Sequence, residues 1–327
     1  MNPMLKFLLQ LHRQVEEALR IGKDFAAARK KPAFDKILFC GMGGSAISGD
    51  IIRCLALSSG RYPFTVMRSA EIPKWVDRKT LVIISSYSGN TREALTFFSK
   101  ARPRCPHFLI VTSGGHLAVQ AKRMRLPTMT VPAGFPPRCA VGYLTFSLLP
   151  VLKKWGILFY SDADIRETQN LMKKYPRKQA DVIAGKLAGR AVHFYGLSGS
   201  MEPVLLRWRA QLAENSKMLA SHHVIPETFH NEIEGWHGPA SLIHKSTAVF
   251  FADRDEPAWI LRKRKVAGRL ISKRGGRVME IKSCGRRPLA RIFSLIVLAD
   301  WVSFELAQRC RVNPLAIPNI DTIKKID

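Results

Sequence analysis

The sequence lacks any stretch of about 18 or more consecutive apolar residues, the length a membrane-spanning helix needs. The longest candidate, residues 292–306, is interrupted by Asp300 and Glu305 and reads as a buried helix. An apolar patch at residues 5–11 has no small-residue cleavage site and runs into Arg13, Glu16 and Glu17. It reads as an amphipathic surface helix rather than a signal peptide. Together these absences predict a cytoplasmic protein with no membrane partner. Cysteine pairs are missing too. Cys40, Cys54, Cys105, Cys139, Cys284 and Cys310 are scattered, and no two form C-x-x-C. That excludes a zinc ribbon and a disulfide framework, and predicts buried thiols. Acids are scarce: 25 Asp and Glu stand against 52 Lys and Arg, for a net charge of +27. Such a field attracts nucleic acid, anionic membranes and phosphorylated metabolites alike. The densest run, Arg262-Lys263-Arg264-Lys265, reads as a solvated face. No zinc-finger, RNA-recognition or helix-turn-helix signature accompanies it, so nucleic acid is not an expected partner.

What is present is a repeat. Lys36-Ile-Leu-Phe-Cys40 followed by Gly41-Met-Gly-Gly-Ser45 corresponds to Ala191-Val-His-Phe-Tyr195 followed by Gly196-Leu-Ser-Gly-Ser200. Thr80-Leu-Val-Ile-Ile84 corresponds to Thr247-Ala-Val-Phe-Phe251, and the segment starting at His107 to the one starting at Arg277. Order and near-spacing are kept. Short apolar strands alternating with helical segments predict an α/β fold: two tandem copies of a doubly wound parallel sheet flanked by helices. The expected cut lies near residue 155, giving domains 1–155 and 156–327.

One loop carries the strongest chemical signal. Ser86-Tyr-Ser-Gly-Asn-Thr91 follows an apolar strand and precedes a helical stretch. That position, at the carboxyl end of a parallel strand and the amino end of a helix, is where open sheets bind anions. Ser86, Ser88 and Thr91 add hydroxyl donors, and Gly89 lets backbone approach closely. The competing reading is a helix cap, which needs one hydroxyl. The earlier Gly41-Met-Gly-Gly-Ser-Ala46 also fits G-x-G-x-x-A, but the acid expected about 20 residues on is poorly met. Either a dinucleotide or a sugar could be lined there by Gly43, Gly44 and Ser45. The second copy of the Ser86 loop, Ala252-Asp-Arg-Asp-Glu-Pro257, carries acids and should repel phosphate. One phosphate site per chain is therefore expected, facing the cleft between domains.

Acid–base groups gather in the second copy. Residues 202–221 read as one helix with Leu205, Trp208, Leu212 and Leu219 on its apolar side. Arg207, Gln211 and Glu214 lie on another face, either as a solvent stripe or as part of a site. The following segment around His230 is crowded with ionisable and aromatic groups. His223, His230, His237 and His244 recur at a seven-residue spacing, which on one helix could bind zinc. Pro226, Gly235, Gly238 and Pro239 interrupt such a helix, so no metal is expected.

The ordered set Gly41-Met-Gly-Gly-Ser45, Ser86-to-Thr91, Glu214-Asn215, His230-Asn231 with Glu234-Gly235, and Asn313-Pro-Leu-Ala316 resembles the bifunctional phosphoglucose/phosphomannose isomerases, built from two sugar isomerase (SIS) domains. The resemblance implies a cofactor-free aldose-ketose isomerase acting on hexose 6-phosphates. It implies that Ser45, Ser86, Ser88 and Thr91 contact phosphate and sugar. Glu214 would be the proton-moving base, Arg138 the cation steadying the enediolate, and His230 and Lys324 the ring-opening pair. It further implies a homodimer in which His230 is donated across the interface. Dual-specificity members can carry a threonine where this chain has Ile317, which leaves mannose 6-phosphate open. A phosphosugar-binding regulator without catalysis, or another SIS isomerase, are the alternatives.

Overall fold

A computed structural model describes residues 2–57 and 60–326. The chain forms two compact units, Lys6–Ser161 and Asp162–Ile326, the second including residues 2–5. In the first unit, strands β1 (Lys36–Gly41), β2 (Phe64–Met67), β3 (Thr80–Ser85), β4 (His107–Thr112) and β5 (Thr128–Thr130) form a parallel sheet in the order β2-β1-β3-β4-β5. In the second, β6 (Ala191–Leu197), β7 (Ala220–Ile225), β8 (Ser246–Ala252) and β9 (Arg277–Lys282) form a parallel sheet in the order β7-β6-β8-β9.

The three sequence correspondences fall on β1 and β6, β3 and β8, and β4 and β9. β1 and β6, and β3 and β8, have equivalent neighbours, while β4 has β5 beyond it and β9 ends its sheet. Every residue of β3 and of β8 is buried. This is why these strands read as continuous apolar runs: helices cover both faces, so alternation has no solvent side to report. On one face of the first sheet, Val82, Ile84 and Ile110 pack with Phe97, Phe98 and Phe108. In the second unit, Phe194 packs against Trp208 and Phe251.

Residues 292–306 do form a buried helix, inside Pro288–Arg309, and no described helix is long and apolar enough to cross a membrane. The amino-terminal patch is an amphipathic helix, Pro3–Ala27, burying Met4, Leu8, Leu11 and Val15.

Three expectations need correction. The helix predicted over residues 202–221 spans only Glu202–Ser216. Lys217 turns left-handed at φ 56°, and Ala220 begins the edge strand β7. Leu219, assigned to the apolar side, is 91% exposed. Its match to the helical period was accidental, because the sheet needs this segment as a strand beside β6. The thiols are not all buried: Cys284 and Cys310 are exposed. In the basic run, Arg262, Lys263 and Lys265 face solvent, but Arg264 is buried between Glu256 and Glu280.

Candidate functional site

In the first unit the candidate residues converge on two turns at the carboxyl ends of adjacent strands. Gly41 ends β1, and Gly43, at φ 47°, opens the helix Gly43–Leu57. Ser45 is buried on its first turn, and its Oγ accepts a hydrogen bond from the Tyr87 N–H at 3.1 Å, which ties this turn to the Ser86 loop. At Gly44 a Cβ would lie 2.7 Å from the Pro137 carbonyl oxygen and 3.1 Å from the Arg138 Cα. The missing side chain thus lets the 3-10 turn Pro137–Cys139 approach, bringing buried Arg138 beside Gly44. Gln14 holds the same turn by donating to the Cys139 carbonyl at 2.8 Å.

The Ser86 loop is built around Gly89. At φ 69°, with a Cβ that would fall 1.8 Å from the Gly114 oxygen, this position admits only glycine. Asn90 Oδ1 accepts from the His116 N–H at 2.9 Å, and Ser113 Oγ donates to the Tyr87 carbonyl at 2.6 Å, so the turn after β4 braces the loop. Thr91 stands at the N-cap of the helix Arg92–Ala101 but makes no side-chain cap. Its Oγ1 instead accepts from Ser86 Oγ at 3.1 Å. The cap reading therefore does not account for the threonine. The first helical turn has no side-chain cap, and Ser88 is exposed next to it. Converging hydroxyls at a helix start that Thr91 leaves without a side-chain cap suit an oxyanion, although Glu93 also lies on that first turn.

Sequence reasoning missed the structural part of Tyr87. This residue is buried; its hydroxyl donates to the Pro132 carbonyl at 2.8 Å and accepts from the Phe135 N–H at 3.1 Å. It links the Ser86 loop to the segment leading into Arg138. A large aromatic between two serines was the available signal. Cys40, at the end of β1, is no nucleophile: burial, with a smaller contribution from Glu93, pushes its thiol up to about 12. Arg68, the cation a dinucleotide 2′-phosphate would need, pairs with Asp50, and Glu71 pairs with Lys100 at 2.6 Å.

The equivalent turns of the second unit hold acids of their own. Glu202 Oε1 accepts from Ser198 Oγ at 2.8 Å and from the Gly199 N–H at 3.0 Å. After β8, Asp253 and Asp255 pair with Arg291 at 2.9 and 2.5 Å, and Glu256 pairs with Arg264 at 2.9 Å. Among the described residues, carboxylates sit at these turns where the first unit has hydroxyls.

Glu214 is half-buried near the end of the helix Glu202–Ser216. Arg207 and Gln211 do not form a solvent stripe. Arg207 meets Asp300 at 3.1 and 2.8 Å, and Gln211 Nε2 donates to Asp300 at 2.6 Å, all buried. Asn215 Nδ2 donates to Ser303 at 2.9 Å. These bonds dock the helix on Pro288–Arg309 and set where Glu214 stands. Lys217 Nζ donates to the Glu214 carbonyl at 2.8 Å and the Asn313 carbonyl at 2.6 Å, tying the helix end to the Asn313-Pro-Leu-Ala316 motif. His230 is exposed at the end of the 3-10 turn Glu227–His230. Lys324 is exposed at the end of the helix Pro318–Lys324, with half-buried Ile317 at its N-cap.

The evenly spaced histidines share no helix. His223 lies on β7, His230 and His237 end separate 3-10 turns, and His244 follows the helix Ala240–Ile243. His223 instead meets His193 and Glu232. Burial, with a smaller contribution from His223, holds the His193 imidazole below its usual range.

Residues 177–326 match the model of the bacterial phospho-glucose isomerase C-terminal SIS domain. A bifunctional phosphoglucose/phosphomannose isomerase of Caldicellulosiruptor bescii is 34% identical, over 98% of this chain and 98% of its own. One from Aquifex aeolicus is 31% identical, over 91% of this chain and 92% of its own. Among solved structures, a putative phosphosugar isomerase of Clostridium difficile superposes with a TM-score of 0.77 at 14% identity, covering 100% of this chain and 98% of that one. At that identity the last shows the fold alone.

Proposed function

Because the chain belongs to the bifunctional phosphoglucose/phosphomannose isomerase family, we propose that it interconverts glucose 6-phosphate and fructose 6-phosphate, and also takes mannose 6-phosphate. The observation that carries this reading is the Ser86–Thr91 turn, where hydroxyls converge at an uncapped helix start and the threonine caps nothing. Ser86, Ser88 and Thr91 hold the phosphate, and Gly43, Gly44 and Ser45 line the sugar.

The chemistry is a proton shuttle. His230 and Lys324 open the ring by moving a proton between the C1 hydroxyl and the ring oxygen. Glu214 then takes the proton from C2 of the open aldose, the C1 carbonyl becomes an enediolate, and Arg138 steadies its negative charge. As the C2 hydroxyl proton passes to the C1 oxygen, reprotonation at C1 by the same carboxylic acid yields the ketose and returns the carboxylate, so no atom is lost and no electron acceptor is needed. Both C2 epimers give one enediol, which is why a single site can serve glucose and mannose phosphates. Ile317 brings no hydroxyl, so discrimination between the epimers falls to other groups. The homodimer, with His230 acting in the partner's site, belongs to the same proposal.

Glu214→Gln tests the reading. General base catalysis contributes about two to four orders of magnitude. A coupled assay of glucose 6-phosphate isomerisation should show kcat lowered by about that much, with KM little changed. Wild-type turnover in this variant would remove Glu214 from its role, and absence of isomerisation of either aldose by the wild-type protein would remove the reading itself.

A further inference from the structure

The β6–β7 register pairs His193 with Ser221 and Tyr195 with His223. Alternate residues of a strand share a face, so these four side chains stand together. The 3-10 turn Glu232–His237 lies over them. It is held by Trp236 Nε1, which donates to the Tyr195 hydroxyl at 3.0 Å, and by that hydroxyl, which donates to Glu232 Oε1 at 2.6 Å. The Trp236 ring also meets the edge of His193, with centroids 5.3 Å apart. We propose that His193, His223 and Glu232 form a binding site for a zinc-type divalent transition metal.

One potential ligand atom from each residue lies within 4.8 Å of the others. Ser221 Oγ stands between the imidazoles, 2.8 Å from His193 Nδ1 and 2.9 Å from His223 Nε2, so both rings aim at one point. Glu232 Oε1 lies 3.7 Å from the same His223 Nε2. A Ser-His-Glu nucleophile triad would need the serine and the carboxylate on opposite ring nitrogens. Here both meet one nitrogen, which is the convergence a metal requires. Moreover, Glu232 Oε2 is buried without a hydrogen-bond partner. A buried carboxylate oxygen left unpaired is costly, and a cation would satisfy it. Tyr195 supports the other oxygen in the way that outer partners orient ligating carboxylates. Two imidazoles and one carboxylate suit zinc and its neighbours, with a fourth position left for water or Ser221. An ion at about 2.0–2.2 Å from each ligand requires all three side chains to draw together from a spacing of up to 4.8 Å. Since Glu232 follows His230 by two residues, a bound ion would fix the segment bearing that histidine. That consequence rests on the isomerase reading; the site itself does not.

The test uses the full chain, stripped with a chelator and dialysed. Titration with Co2+ should give visible d–d absorption that saturates at about one equivalent and is displaced by Zn2+. Zn2+ should raise the Tm of the wild-type protein. His223→Ala and Glu232→Gln should each weaken binding by at least about tenfold and lose the Tm shift. Glu232→Gln keeps the acceptor for Tyr195 and so retains the fold, which circular dichroism verifies; it decides the matter if His223→Ala fails to fold. Absence of saturable binding overturns the proposal, as does binding of equal affinity in the folded variants. Isomerase activity is not a readout, so failure here leaves the isomerase reading standing.

Discussion

Thr91 opens a helix without capping it, and Ser86 gives it a hydroxyl hydrogen at 3.1 Å. A threonine that contributes no cap has little to do with helix stability, so its replacement separates structure from binding. Hydrogen bonds to charged groups are worth about 1.5–3 kcal/mol. Thr91→Val should therefore raise KM for glucose 6-phosphate by about tenfold or more, with Tm nearly unchanged. An unchanged KM, measured by initial rates, would take the threonine out of the phosphate cradle.

At the scale of elements, the helix Glu202–Ser216 is fixed against Pro288–Arg309 by a buried ion pair rather than by apolar packing alone. Arg207 and Gln211 both reach Asp300. Removing one partner of such a pair strands the other charge, which costs about 3–5 kcal/mol. Asp300→Ala should lower unfolding stability by that amount in urea titrations and lower kcat as well, because Glu214 rides on the same helix. A variant with full stability would mean that Arg207 finds another acceptor. The loop element obeys a steric rule instead. At Gly89, alanine would need a left-handed backbone and would strike the Gly114 carbonyl.

For the whole molecule, several apolar side chains stay exposed. Leu219 is 91% exposed, Ile323 65% and Ile326 82%. The proposed homodimer, with His230 acting in trans, makes a quantitative prediction. Glu214→Gln and His230→Ala homodimers are each inactive. Denatured together in equal amounts and refolded, they should recover about a quarter of wild-type activity, since half of a random dimer population carries one intact site in two. No recovery, with a dimer seen by sedimentation, would place His230 in its own chain's site. The +27 charge attracts a phosphorylated substrate over a range set by salt. Nothing in the fold requires so large an excess.

The sequence by itself determined the architecture and marked out the Ser86 loop. Apolar runs buried on both faces, glycine turns at strand ends and a repeat in register are local signals, and β1, β3, β4, β6, β8 and β9 were legible from them. The serines and threonine of the Ser86 loop were legible for the same reason, as neighbours in one turn. Tertiary structure decided the rest. Residues 217–221 satisfied a helical period yet became turn and edge strand, because pairing with β6 outweighs a weak local preference. Arg207 and Gln211 could be read as a solvent stripe or as part of a site until Asp300, far along the chain, came to meet them. Histidines evenly spaced in sequence dispersed, while His193, His223 and Glu232 gathered through strand register and a covering turn. Contacts between distant segments leave no periodic trace in a sequence, so only the folded chain shows which charges are paired and which ligands converge.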